Sequence, residues 1–237
     1  MSLGEEIKEK ITGYMNSKYD TTDANVVPDK QSIGFGPKAK NIKHGVILYA
    51  DIRGSRDLLS NGTPLSAARA HKSFLYAVAK CTRNQDGKLR SFSGDSVMAF
   101  YMGENAAVRA VRSAMKIKGA VVEILNPILE NKTGNKLNFG IGIAQGNFLV
   151  VKSGVAGEEM YQDLIWIGWP TYHAFEYGDK ARSPKNIWLS KNVFNTIKDF
   201  NDVRYSNSED MWVYSDDHSF SFGKVRVYKT SFYKNVL

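Results

Sequence analysis

Ile7, Ile11 and Tyr14 recur at helical spacing and predict a helix over residues 4–18. A loop with Pro28, Gly34, Gly36 and Pro37 follows it. Val46–Ala50 is an unbroken apolar run between Gly45 and Gly54, the pattern of a buried strand. Leu65, Ala68, His71, Leu75 and Val78 put a helix over 64–82. Asp86-Gly87 is a hairpin-type turn, and strands are predicted over 89–93 and 96–101, flanking Gly94-Asp95. Ala107, Val108, Val111, Ala114 and Met115 mark an amphipathic helix over 104–125. Beyond it the pattern predicts strands over 137–145, 147–152, 164–167 and 187–190, and a helix over 170–181. Residues 211–233 alternate strands and turns. The order is β-α-β-β-α-β with additions, an α+β ferredoxin-like pattern. Residues 1–40 read as a helical arm and loop, and 41–237 as one domain.

Composition narrows this picture. With 237 residues, 43% hydrophobic and 24% charged, the chain can build a sizeable core. A net charge of +8 fits either a basic solvated surface or a polyanionic partner. No lysine/arginine tract of nucleic-acid type appears; the densest clusters are short, as in Lys38-Ala-Lys40. Cys81 is the single cysteine, so no internal disulfide forms, and its apolar setting marks a small core residue. No apolar run reaches the roughly 18 residues of a membrane span, and Met1–Lys10 lacks a secretory apolar region. The expectation is a cytoplasmic protein that neither spans nor binds a membrane.

The chemistry concentrates in two aspartates. In Tyr49-Ala-Asp-Ile-Arg-Gly-Ser-Arg56, Asp51 stands at a strand end before a Gly/Ser turn whose N–H groups can meet a phosphate. In Ser91-Phe-Ser-Gly-Asp-Ser-Val-Met-Ala-Phe100, Asp95 lies in the turn between two strands. If those strands neighbour the first, the two carboxylates converge. Two carboxylates with little else from protein is how magnesium is held beside substrate phosphates. Either aspartate alone reads equally as a turn cap.

Asp51 with Ile52, Gly54 and Ser55 resembles the first metal-binding motif of class III nucleotidyl cyclases, and Gly94-Asp95 before Val97–Phe100 resembles the second. Phe139-Gly-Ile-Gly-Ile-Ala-Gln-Gly146, Gly154, Gly157 and Trp166-Ile-Gly168 extend the resemblance over about residues 44–190. It implies a ferredoxin-like βαββαβ catalytic domain that dimerises head to tail, with active sites at the interface. By the resemblance, Asp51, Asp95 and the Ile52 carbonyl hold two Mg2+ or Mn2+ ions per site. Arg53, Gly54, Ser55 and Arg56 cradle the phosphates of a nucleoside triphosphate. The 3′-hydroxyl attacks the α-phosphorus and expels pyrophosphate.

The other half of the family pattern is rewritten. The two purine-reading positions hold Ser91, with Arg90 beside it, and Ile165. The positions of the transition-state asparagine and arginine hold Tyr172 and Glu176, with His173 adjacent. An intact metal half with a replaced base half is similar to the pyrimidine cyclases of bacterial Pycsar anti-phage systems. Val27-Pro28 before a glycine-bearing loop, and the run through Asp51, carry that likeness. It implies cyclic UMP or cyclic CMP as a product read by a separate effector. Tyr49 adds bulk that favours a one-ring base, and Arg90 suits pyrimidine carbonyls. Lys224, Arg226 and Lys229 are the candidates for a late triphosphate-binding cation. The alternatives are a purine cyclase with unusual base readers, a non-catalytic nucleotide-sensing module and a basic nucleic-acid binder. The last lacks the paired aromatic stacking strand of RNA-recognition sheets.

Overall fold

The structure, a computed structural model, describes residues 1–60, 62–216, 218–221 and 223–236. It begins with helix α1 (Leu3–Asn16), strand β1 (Asp20–Asp23) and strand β2 (Lys38–Arg53). Helices α2 (Ser55–Ser60) and α3 (Pro64–Arg83) lead to the hairpin of β3 (Lys88–Ser93) and β4 (Ser96–Tyr101). Then come α4 (Ala106–Ala120), a π-helical turn over Val121–Leu125, α5 (Asn126–Thr133) and β5 (Asn138–Gly154). Strand β6 (Gln162–Ile167), α6 (Trp169–Lys180) and β7 (Ile187–Ser190) follow. The C-terminal part holds α7 (Lys191–Thr196), α8 (Asn201–Arg204), β8 (Tyr205–Ser206), β9 (Glu209–Asp210) and β10 (Val213–Ser215). Strands β11 (Ser219–Phe220), β12 (Gly223–Lys224) and β13 (Val227–Thr230) complete it.

The main sheet runs β10-β13-β7-β5-β2-β4-β3, mostly antiparallel. Its β5-β2-β4-β3 portion places the fourth, first, third and second strands of a βαββαβ unit side by side. Helices α3 and α4 cover one face. There Val46, Leu48, Ala50 and Ile52 of β2 meet Phe74, Val78, Val111 and Met115. The alternate residues Ile47 and Tyr49 join a second cluster with Ala174 of α6, on the opposite face. The Gly-Ile-Gly-Ile run of β5 serves both faces. Ile141 and Ile143 fill the α3–α4 core, while a Cβ at Gly142 would lie 2.0 Å from the Ala174 carbonyl oxygen. Glycine there lets the backbone of α6 sit directly on the strand.

Below this unit the sheet continues as a ribbon. Strand β1 pairs in parallel with Lys38–Asn41 of β2, and β6 pairs with residues 149–154 of β5. Val27 and Ile33, from the loop between β1 and β2, are buried in the second cluster. Strand β2 crosses the expected division at residues 40/41.

Three sequence expectations are corrected. Gly45 does not begin the β2 strand; it sits at a bulge where His44 has φ 53° and the register with β5 shifts. Gly146 does not split β5. It pairs with Gly45 within the strand, and its missing side chain leaves room for Pro170, whose Cγ an added Cβ would meet at 2.8 Å. The helix over 104–125 does not end before Asn126-Pro127. The wide π turn carries the chain past a proline that lacks an N–H and would clash in a regular helix. Among the described residues no helix is long and apolar enough to cross a membrane.

Candidate active site

Asp51 is 8% exposed, near the end of β2, and its cross-strand partner in β4 is Ser96. Asp95 precedes Ser96 in a two-residue hairpin turn whose first residue, Gly94, has φ 61°. That conformation suits glycine in a hairpin of this length. The two aspartates therefore stand one residue out of register on neighbouring strands. Asp95 faces helix α3, where His71 Nε2 lies 4.0 Å from its Oδ2. His71 Nδ1 donates to the Ala67 carbonyl at 2.7 Å, which fixes the ring.

The Asp51 carboxylate is paired with the Arg53 guanidinium, two residues along the same strand face. Arg53 also donates to Asp179 of α6, at 2.5 Å to Oδ1 and 2.7 Å to the carbonyl oxygen. Its Nε is buried without a partner. A buried carboxylate requires a compensating cation, and Arg53 supplies it here. Among the described residues no group of three or more His, Cys, Asp or Glu forms a metal cage. Two carboxylates on neighbouring strands would suit Mg2+ or Mn2+, which take most of their ligands from water and phosphate oxygens.

One row across the sheet lies beside the aspartates. Gly142 pairs with Tyr49, Tyr49 with Met98, and Met98 with Ser91, so these residues share a face. The Tyr49 ring is 8% exposed and meets Phe175 of α6 at 5.1 Å between centroids. Tyr49 is thus buried between β2 and α6. Burial pushes its hydroxyl pKa up, and the neighbouring Ser96 hydroxyl and Arg53 oppose that rise.

Other expected site residues lie elsewhere. The Arg90 guanidinium is committed to the N-terminal loop: Nε donates to the Pro28 carbonyl at 2.5 Å, and the terminal nitrogens to Val27 at 3.1 Å and Leu89 at 2.9 Å. Ile165 is exposed on β6 and pairs with Val151, which pairs with Ala39. Ala39 is twelve residues along β2 from Asp51, or roughly 40 Å. Ile165 and Asp51 therefore cannot meet in one chain. Tyr172 is exposed on α6. His173 stacks on Tyr177, and burial lowers its pKa. It lines a cavity of about 650 Å3 with Lys224 and Arg226. After Arg53, the turn holds Gly54 at φ 67°, half-buried Ser55 and exposed Arg56. Asp179 and Phe175 escaped the sequence reading because only tertiary packing of α6 brings them to β2. His71 was legible solely as a helical core position.

The fold recurs in solved structures. The chain superposes on the adenylyl cyclase CyaB from P. aeruginosa with a TM-score of 0.67 at 20% identity, over 84% of this chain and 98% of that one. It superposes equally on the guanylate cyclase domain of RhGC from Catenaria anguillulae, with a TM-score of 0.67 at 15% identity over 82% and 100%. The fold is that of class III nucleotidyl cyclase catalytic domains, and the protein is a nucleotidyl cyclase. Among curated proteins it is 31% identical over 217 residues to a uridylate cyclase from Xanthomonas perforans, covering 90% of each chain. A uridylate cyclase from Burkholderia cepacia is 28% identical over 215 residues, 90% of this chain and 91% of its own. The chain belongs to the uridylate cyclase family. No protein-family profile matches it.

Proposed function

We propose that this enzyme converts UTP to 3′,5′-cyclic UMP and pyrophosphate, as a cytoplasmic signal in anti-phage defence read by a separate effector. The observation that carries the reading is the Asp51↔Ser96 register, which sets two carboxylates side by side in a chain related to uridylate cyclases. Asp51, Asp95 and the Ile52 carbonyl hold the divalent ions. When bound, Mg2+ or Mn2+ supplies Lewis-acid charge that favours the 3′-alkoxide and the departing pyrophosphate. Arg53, whose guanidinium here pairs with Asp51, would face the phosphates together with the backbone of Gly54 and Ser55 and the side chain of Arg56. The attacking oxygen is the substrate's own, so no protein nucleophile is required.

The base-side row supports a pyrimidine. It offers the Ser91 hydroxyl and the Met98 thioether above a floor of Tyr49. A purine there leaves ring nitrogens and an exocyclic group unpaired, at about 1–3 kcal/mol for each. Arg90 keeps two of its five N–H groups beyond its loop contacts, enough to reach a base carbonyl. Of the late cations, Lys224 suits the triphosphate best. Arg226 pairs with Asp216 at 3.0 Å, and Lys229 lies over the Trp188 ring, 4.5 Å from its centroid.

The distance between Ile165 and Asp51 supports a head-to-tail homodimer in which β6 and α6 of one protomer, with Ile165, Tyr172 and His173, complete the site of the other. Incubation with each of the four triphosphates and Mg2+ or Mn2+, read by mass spectrometry, tests the substrate. Cyclic UMP from UTP is expected. Faster turnover of ATP or GTP than of both pyrimidines overturns the pyrimidine reading.

A further inference from the structure

Helix α1 buries none of its residues. Its exposed apolar stripe consists of Leu3, Ile7, Ile11 and Tyr14, at helical spacing. A lone helix of this length is marginal in water, even with the Ser2–Glu5 capping box it carries. Such a helix needs an apolar surface to rest on.

The same chain leaves such a surface open. Two cavities of about 560 and 540 Å3, sharing Ser73, Leu125 and Ile128, form one furrow between α3 and the π turn with α5. Tyr76 is 65% exposed there and Ile128 58%. Arg69, Lys72, Lys80 and Lys132 stand along it, and none of them has an acidic partner among the described residues. The first two turns of α1 carry Glu5, Glu6 and Glu9 against one lysine, Lys8, in a chain of net charge +8. Polarity and charge therefore match.

The helix cannot fill the furrow of its own chain. Cys81, at the furrow's lower end, contacts Ser113, which hydrogen-bonds Tyr101, the cross-strand partner of Val46. Strand β1 starts opposite Lys38, eight residues lower, or about 27 Å away. Three linking residues span at most about 11 Å and the helix about 21 Å. Only its first turn reaches that end. A partner's helix has no such limit. Thr21 pairs with Ala39, Ala39 with Val151, and Val151 with Ile165, so β1 and Ile165 lie in one row about 14 Å wide. Where Ile165 of one protomer faces Asp51 of the other, that row lies beside the other's α3, whose His71 is 4.0 Å from Asp95. The short link then delivers α1 to the upper end of the furrow.

We propose that α1 of each protomer docks into the α3–α5 furrow of a second copy of this chain, strapping the dimer from behind the active-site face. This rests on the head-to-tail dimer proposed above. The test uses full-length chains in a Cys81→Ala background, one carrying Ile7→Cys and the other Tyr76→Cys or Ile128→Cys. They are mixed and treated with a short bismaleimide, with light scattering on the same samples. A covalent heterodimer from the mixture, absent from each chain alone, is the expected result. A dimer by light scattering that cross-links at neither position overturns the docking while leaving the dimer intact. Cross-linking of Ile7→Cys with itself overturns it too, because α1 then pairs with α1. A monomer by light scattering overturns the dimer reading and the docking with it.

Discussion

Gly142→Ala drives a methyl group into the backbone of α6. The added Cβ would lie 2.0 Å from the Ala174 carbonyl oxygen, 2.5 Å from the Gly178 nitrogen and 2.9 Å from Tyr177 Cβ. Ordinary contact begins at 3.4 Å, so the helix must retreat by 1.4 Å, the difference from 2.0 Å. Two of the three obstacles are backbone atoms, which no rotamer change removes. Overpacking of this kind costs about 1–3 kcal/mol, and the backbone clash puts this case at the upper end. In a chain of this size, about 3 kcal/mol lowers Tm by roughly 6–12 °C. The retreat also carries Phe175 from Tyr49 and Asp179 from Arg53. A displacement near 1 Å at reacting groups costs on the order of 100-fold in rate. Thermal melting and initial rates of cyclic nucleotide formation check both numbers. Gly13→Ala is the control: nothing lies within 4 Å of its Cβ, and it is not part of the Leu3, Ile7, Ile11 and Tyr14 stripe of α1. A Gly142→Ala enzyme that melts within 1 °C of the parent on the order-of-magnitude scale above and keeps its rate would refute the claim that close α6 packing builds the site.

Two further outcomes follow from other contacts. Asp202 accepts from Arg112 at 2.8 Å and from Lys234 at 2.6 Å, and the Arg112 hydrogen bond leads in holding its carboxyl at about 2, below the ordinary 3.8. A depressed folded-state value stabilises fully above the unfolded value and is lost as pH falls through the folded one. Denaturant melts of the parent and Asp202→Asn should differ at pH 7, and that gap should close between pH 3.8 and about 2. For the dimer, an inactive Asp51→Ala chain mixed with an inactive Tyr172→Asp chain should recover activity, since one site per heterodimer keeps both native halves. Absence of rescue in a proven heterodimer counts against shared sites.

How far the sequence could be read depended on whether a contact is local. Asp51 and Asp95 were legible as a pair because each ends a strand with its own punctuation, and those strands are neighbours. The βαββαβ order was legible from periodicity for the same reason. Glycine misled where its purpose was close approach: Gly146 makes room for Pro170, and the pattern shows only a missing side chain. Strand β1, Asp-Thr-Thr-Asp, has no apolar residue and exists because the edge of β2 offers it hydrogen-bonding partners. The anchoring of Arg90 was not legible, because its carbonyl acceptors, 62 and 63 residues away, have no signature in the chain. Asp179 was silent for the same reason, since only the docking of α6 brings it to Arg53.

In the proposed cyclase, the carboxylates brought onto neighbouring strands by the Asp51↔Ser96 register carry the chemistry. Asp51→Asn and Asp95→Asn keep shape and remove one charge each, so the measurement is UTP turnover by each purified variant at saturating Mn2+, with a melting curve to establish folding. Folded proteins whose rate falls by about 1,000-fold or more are expected, because charge stabilisation of the transition state is lost. A folded variant of either kind that retains more than about a tenth of the parent rate, a barrier change under about 1.4 kcal/mol, would contradict it.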